Sequence, residues 1–321
     1  RWVQEICGQF LQGKGFQPKA IKAQLGRIVA DFETVELLPV RKVKVGIVGE
    51  IYAKYSPLAN NHLEEFLRSR LGEQGVRDPF ILRSPEDDMF YMIATDLWIG
   101  GGTKWEDAVR QGSRSILVWE SRDLIHWTKE RLCQIAPENA GCAWAPEAVY
   151  DPDRKAYMIF WASFVKGKHR IFRAWTSDFR SFTPPELYFQ RVCDVIDMTI
   201  IRFNGEIYRF YKDETEKYIC MDCGPTLDGP FKRISSPSLD SLKGVEGPAA
   251  FQLRTGELCL LADQFASGKG YCPLISSNNA PGEFRILDSN EYGMGQTCKR
   301  HGSVLALSDR EYDRMQKAWP K

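Results

Sequence analysis

From about residue 77 onward, short runs of alternating apolar and polar residues recur in units, and each unit predicts a group of β-strands. The units open with a polar or charged residue and a β-prone run: Arg77-Asp78-Pro79-Phe80-Ile81, Trp144-Ala145-Pro146-Glu147-Ala148-Val149, Ile196-Asp197-Met198-Thr199-Ile200-Ile201, Val245-Glu246-Gly247-Pro248-Ala249-Ala250 and Arg300-His301-Gly302-Ser303-Val304. Counted from Asp78 through Glu147, Asp197, Glu246 and His301, the steps are 69, 50, 49 and 55 residues. A second strand follows each of the first four openings, as in Phe90-Tyr91-Met92-Ile93-Ala94 and Ala156-Tyr157-Met158-Ile159-Phe160-Trp161. Third strands are read at Ser115–Trp119, His169–Ala174 and Lys217–Met221, and the first four units close on Trp127, Phe182, Phe231 and Phe284.

A period near 50 residues with about four short strands per unit is the pattern of β-propeller blades. One small sheet cannot cover both of its faces, whereas a ring of sheets packs each face against a neighbour. A two-sheet β-sandwich also strings short strands at regular intervals, but the length of the unit favours the propeller. Five openings predict a mainly β, five-bladed β-propeller over residues 67–321. The chain after His301 is too short for a full fifth blade.

The first 66 residues read differently, as a small α/β segment. Ile21, Leu25, Ile28 and Val29 fall on one helical face, Val43, Val45 and Ile47 alternate like a strand, and Asn61 caps a helix with Leu63, Phe66, Leu67 and Leu71 inside, stopped by Gly72. Two outcomes follow for the ring: either this segment supplies closing strands, with Val43–Tyr52 the candidate, or the propeller closes imperfectly and exposes sheet edges.

Composition narrows the partners. Lys+Arg is 43 and Asp+Glu is 42, a net charge of +1, so nothing electrostatic favours nucleic acid or an anionic membrane surface. No stretch approaches the roughly 20 apolar residues of a membrane helix. The chain begins Arg1-Trp2-Val3-Gln4-Glu5 with no apolar signal core, and its nine cysteines are scattered, which together fit a cytoplasmic, reducing location. The close pair Cys220 and Cys223 has no second ligand pair, so it reads as two strand thiols rather than a zinc or redox site.

In a propeller the first strand of each blade lines the central channel. Asp78, Glu147, Asp197, Glu246 and His301 should therefore converge near the axis. Four carboxylates and an imidazole in one pocket raise each other's pKa and resist burial, which points to function. One protonated and one ionised carboxylate are the apparatus of glycoside hydrolysis, and a third can tune and orient the acid. Aromatic residues make up 12% of the chain, and Trp144 stands beside an opening, where an aromatic face can stack on a sugar ring.

These stretches carry a resemblance. Gly75–Arg83, Gly112–Ser121, Glu138–Glu147, Val195-Ile196-Asp197, Val245–Pro248 and Arg300–Val304 together resemble glycoside hydrolase family 43, a family of five-bladed propellers that act with inversion. The resemblance implies that Asp78 is the general base, Glu246 the general acid and Asp197 the third carboxylate that raises the acid's pKa and orients it. It also implies a base-to-acid separation of roughly 6.5–9.5 Å. Phe80, Trp144, Glu147 and His301 become candidate substrate-binding residues, with His301 also placed for an axial cation. No cofactor is required, though a structural calcium on the axis is compatible. The substrate class implied is α-L-arabinofuranosyl or β-D-xylosyl units of plant polysaccharides. A carbohydrate-binding propeller without catalysis is the alternative. Within residues 1–66, Val45–Tyr52 and Tyr55–Asn61 resemble a fragment of 2-hydroxyacyl-CoA dehydratase and activase-related proteins, but no ATP-binding loop or cluster-binding cysteine pair accompanies it.

Overall fold

The computed structural model describes residues 18–33, 46–49, 75–86, 88–276, 282–295 and 298–319. The chain divides into two units, Arg1–Val43 and Lys44–Lys321. The first contains helix α1 (Pro18–Glu33), which begins on a proline whose missing N–H costs nothing at a helix start. The helix forms where the 3.6-residue pattern predicts it, yet Leu25 and Val29 are exposed and Gln24 is buried. The predicted helix at Leu63–Leu71 lies outside the described residues.

The second unit is a ring of antiparallel sheets. Blade 1 is β2 (Val76–Arg83), β3 (Phe90–Asp96), β4 (Ser115–Ser121) and β5 (Arg131–Gln134). Blade 2 is β6 (Trp144–Asp151), β7 (Ala156–Val165), β8 (Lys168–Thr176) and β9 (Glu186–Phe189). Blade 3 is β10 (Val195–Phe203), β11 (Glu206–Asp213), β12 (Tyr218–Gly224) and β13 (Lys232–Ile234). Blade 4 is β14 (Glu246–Gln252), β15 (Leu258–Asp263), β16 (Tyr271–Ser276) and β17 (Phe284–Ile286). Each is a simple up-and-down sheet of neighbours in sequence.

The expectation of five blades needs correction: among the described residues there are four four-stranded sheets, not five. The fifth place in the ring is a two-stranded sheet, β1 (Gly46–Gly49) antiparallel to β18 (Gly302–Leu305), with Gly46 opposite Leu305 and Gly49 opposite Gly302. After β18 the chain turns into a helix, and β18 takes its partner from the other end of the unit. The inner strands β2, β6, β10, β14 and β18 contact one another in turn, and β18 returns to β2. Of the two outcomes left open by the sequence, the structure takes closure by a strand within Val43–Tyr52.

Side chains secure that closure. The Ile81 N–H donates to the buried Ser303 Oγ (2.8 Å). Helix α2 (Asp309–Ala318) starts on a capping box of Ser308 and Glu311. Arg83 at the end of β2 grips Glu311 with both guanidinium nitrogens, at 2.7 and 3.0 Å. Hydrogen bonding from Arg83 holds the Glu311 carboxyl down at about 2.

The core lies between blades. Ile93, Ile116 and Val118 of blade 1 pack with Ile159, Trp161 and Phe172 of blade 2. Phe160 and Ile171 of blade 2 meet Val195, Ile207 and Tyr211 of blade 3. Phe210 and Met221 of blade 3 meet Leu260 and Leu274 of blade 4. The blade-ending aromatics Phe182, Phe231 and Phe284 join these three clusters in turn. Cys220 and Cys223 sit three apart on β12 and so face opposite ways, into two different clusters.

Candidate active site

The same irregularity marks the inner strand of every four-stranded blade. The pairing register slips between Arg77 and Phe80, Trp144 and Glu147, Ile196 and Thr199, and Glu246 and Ala249. Each slip is a β-bulge, which re-aims side chains toward the channel. The residue inside each bulge has a left-handed backbone: Asp78 (φ 49°), Ala145 (φ 47°), Asp197 (φ 53°) and Gly247 (φ 51°). For a residue other than glycine this costs roughly 1–2 kcal/mol. Prolines follow in three of the four bulges, where no ladder N–H is needed.

The bulges correct the alignment read from sequence. Asp78 and Asp197 are true counterparts, but Glu246 stands one residue before the equivalent position and Glu147 two residues after it. The acidic residues come together from three different positions of one repeated bulge.

His301 organises the centre. Its Nδ1 lies 3.2 Å from Asp78 Oδ1 and 3.9 Å from Asp197 Oδ2. Burial alone would lower the imidazole pKa, but the charges of Asp78 and Asp197 outweigh it and raise it to about 10. Burial likewise opposes ionisation of Asp78. The charge and hydrogen bond of His301, with Arg77 and the Thr95 hydroxyl, overcome that and bring Asp78 to about 2. Asp78 is therefore an ionised carboxylate throughout the neutral range. Asp197 moves the other way: burial raises it, and the facing Glu246 and Asp78 add to the rise against the pull of His301 and Lys212.

Gly247 is required where it stands. A Cβ there would come within 2.5 Å of the His301 ring, and the φ of 51° suits glycine. Its N–H donates to Asp197 Oδ2 at 3.1 Å. That bond ties the third carboxylate to the residue next to Glu246.

Glu246 is held from both sides. Lys212 Nζ donates to its Oε2 at 2.8 Å, and Arg300 Nη2 lies 3.5 Å from its Oε1. Lys212 is 2% exposed, also pairs with Glu214 at 2.6 Å, and sits over the Phe265 ring at 4.3 Å. Burial opposes its charge, but Asp197, Glu246 and Glu214 raise its pKa. Arg300 also donates from Nε to the fully buried Asp263, at 3.0 Å. Glu147 is buried nearby, next to the Thr199 hydroxyl. Burial lifts its pKa to about 8, with Asp197 adding to the rise and Thr199 and His301 opposing it. Glu147 is thus mostly a neutral acid at pH 7.

The remaining sequence candidates, Phe80 and Trp144, stand on the inner strands β2 and β6. Phe80 packs against the cluster between blades 1 and 2. Trp144 stacks on His169, with ring centroids 5.2 Å apart and planes at 28°. Thr95 links Trp144's strand to the centre: its hydroxyl donates to Asp78 Oδ2 (2.9 Å) and accepts the Ala145 N–H (2.7 Å).

Sequence reasoning missed Thr95, Lys212, Asp263 and the grip of Arg300. A signal was present. The second strands of blades 1, 3 and 4 all end on aspartate, at Asp96, Asp213 and Asp263, and the residue before it turns to the channel in Thr95 and Lys212.

Among the described residues, no group of three or more His, Cys, Asp or Glu side chains is placed to hold a metal ion. Among the described residues, no helix is long and apolar enough to cross a membrane.

A family model described as a probable glycosyl hydrolase domain, of the group related to glycoside hydrolase family 43, matches residues 48–313. The chain belongs to this family. The match runs through residues 48–66, and nothing supports the dehydratase resemblance of that segment. An alpha-L-arabinofuranosidase of Bifidobacterium longum is 30% identical over 243 residues, covering 60% of this chain and 23% of that protein. The chain therefore spans less than a quarter of the length of this curated relative. A family 117 glycoside hydrolase from Zobellia galactanivorans shares the fold, at 15% identity and TM-score 0.52, over 77% of this chain and 75% of its own. An alpha-L-arabinofuranosidase of Podospora anserina, solved with cellotriose, aligns at 13% identity and TM-score 0.49, over 68% and 69% of the two chains.

Proposed function

We propose that this member of the glycosyl hydrolase family is an inverting glycosidase that removes α-L-arabinofuranosyl units, with β-D-xylosyl units as the second candidate. The observation that carries the reading is three inner-strand carboxylates gathered at one centre: Asp78 paired with His301, Asp197 tied to the Gly247 N–H, and Glu246 gripped by Lys212 and Arg300. The 30% identity to an arabinofuranosidase supports the choice of sugar.

In this reading Asp78 is the general base. It takes a proton from a water whose oxygen attacks the anomeric carbon. The glycosidic C–O bond breaks, and Glu246 as general acid gives its proton to the departing oxygen. The product sugar carries the opposite anomeric configuration. Asp197 orients the acid through the Gly247 N–H, and Lys212 and Arg300 fix the Glu246 carboxyl in place. No cofactor enters these steps. The β1–β18 pair serves as a reduced fifth blade, closing the ring that holds the three acids.

The test is hydrolysis of p-nitrophenyl α-L-arabinofuranoside and β-D-xyloside by the chain and by Glu246→Gln. Release by the parent, lowered about 10²–10⁴-fold in the variant, is expected. NMR of the fresh product should show the inverted anomer. Folded protein that releases neither sugar from aryl glycosides or from arabinoxylan and arabinan oligosaccharides would overturn the reading.

A further inference from the structure

The insertion between β3 and β4 carries two tryptophans that the catalytic scheme does not use. Trp98 is 44% exposed and Trp105 is 54% exposed, whereas Trp119 and Trp161 of the neighbouring strands are buried to within 1%. A tryptophan held half in water forgoes a large hydrophobic gain, and grouped exposed aromatics mark recognition surfaces.

The insertion is anchored. It contains helix α3 (Trp105–Arg110), whose Ala108 is fully buried. After the helix, the Gly112 N–H donates to the Gly141 carbonyl at 2.7 Å. Gly141 is a place where only glycine fits, because a Cβ would meet the Val109 carbonyl oxygen at 2.2 Å. A short helix fixed this closely to blade 2 presents its indole in one place.

The indole contacts residues that adjoin the candidate active site. Trp105 meets Trp144 edge-on, with centroids 6.2 Å apart, and Trp144 is backed by His169. The Arg77 guanidinium lies 5.2 Å from the Trp105 ring centre, and Arg77 precedes Asp78. Trp144 in turn precedes Ala145, whose N–H is held by the same Thr95 hydroxyl that binds Asp78. Trp98 leaves the β3 end, with its backbone against Gly75 at the start of β2.

We propose that Trp105, edge-on to Trp144 and on one insertion with Trp98, is a stacking platform for a pyranose ring of the chain that carries the hydrolysed sugar. The C–H face of a pyranose is flat and apolar, and its hydroxyls point to the rim, which matches a half-exposed indole flanked by the Arg77 guanidinium. The proposal rests on the glycosidase reading above. It makes the substrate an oligosaccharide or polysaccharide rather than a simple glycoside.

The test is calorimetric titration of xylotriose and of β-1,3-galactotriose into Glu246→Gln protein, repeated with Trp105→Ala and Trp105→Phe added. At least one trisaccharide should bind. Trp105→Ala should weaken that binding about tenfold or more, and Trp105→Phe should restore most of it. Binding that Trp105→Ala leaves unchanged, or no binding of either trisaccharide to the starting protein, would overturn the platform. Since Trp105 is mostly exposed, unchanged thermal melting should confirm that each variant is folded. Aryl-glycoside hydrolysis by the parent tests the glycosidase reading separately, so failure of one is distinguishable from failure of the other.

Discussion

Blades 1 and 2 share one inner-strand geometry and use it differently. Both bulge at the first residues of the strand, and both hold the bulged residue at a φ near 50°. In blade 1 that residue is Asp78, a carboxylate paired with His301. In blade 2 it is Ala145, whose side chain does no chemistry and whose N–H braces Thr95. Blade 3 repeats the blade 1 solution with Asp197, and blade 4 places glycine at the bulge and its carboxylate one residue earlier. The bulge is therefore a property of the scaffold. It creates a row of inward-aimed positions at the channel mouth, and the sequence decides which of them carry charge. The backbone strain is present at Ala145 as well as at the acids, so strain alone does not mark a catalytic residue.

Three variants sharpen that comparison, beyond those already described. The largest effect should come from Gly247→Ala. Its Cβ would overlap the His301 ring and add a strained φ, displacing the imidazole between Asp78 and Asp197. A loss of about 10²-fold or more in kcat on an active aryl glycoside is expected, since a shift of about 1 Å costs that much. Melting should drop as well, by an amount equivalent to about 2–3 kcal/mol. Retention of full activity would show that the close approach of Gly247 to His301 is not needed.

Glu147→Gln probes the blade 2 counterpart of Phe80, Thr199 and Ala249. The folded-state pKa of Glu147 is raised from 4.5 to about 8 by burial. A group raised in this way stabilises the fold fully below its unfolded pKa, and that contribution is lost as pH rises to the folded value. Melting temperature should therefore fall between about pH 4.5 and pH 8, and the fall should be shallower in Glu147→Gln. Parallel pH profiles in the two proteins would mean that Glu147 is not held neutral. His301 also has a raised pKa, from 6.5 to about 10 in the folded chain, so its contribution is lost as pH rises from about 6.5 to 10, overlapping the upper part of the Glu147 window. The two separate below about pH 6.5, where only Glu147 contributes, and above about pH 8, where only His301 does.

The smallest effect belongs to Ala145→Gly. Glycine removes the cost of the left-handed backbone, roughly 1–2 kcal/mol, but loses more entropy on folding, roughly 0.4–1 kcal/mol. A net gain of about 0.5–1 kcal/mol in denaturant unfolding is expected. A loss would show that the alanine methyl makes contacts worth more than the strain it imposes.

Much of the site was legible because the repeat is local. Strand alternation, turn residues and the recurring blade openings lie within short windows, so Asp78, Asp197, Glu246 and His301 could be brought to one axis from spacing alone. The alignment of those openings was misread by one or two residues at Glu246 and Glu147, because a bulge inserts a residue without disturbing the apolar pattern on either side. Lys212 was passed over because a lysine in a strand usually faces water. Only the fold shows that its ammonium is enclosed by Glu214, Glu246 and Phe265.

The sequence by itself determined the mainly β, blade-by-blade architecture and the acidic residues at the mouth of the channel, because both follow from periodicity along a strand. Tertiary structure decided the rest: the number of complete blades, the partner of β18, the clamp of Lys212 and Arg300 on Glu246, and the opposite displacements of Asp78 and Asp197. Each depends on residues brought together across the ring from distant parts of the chain. Closure joins strands some 250 residues apart, and a carboxylate's acidity is set by which charges stand opposite it in a buried, poorly screened pocket.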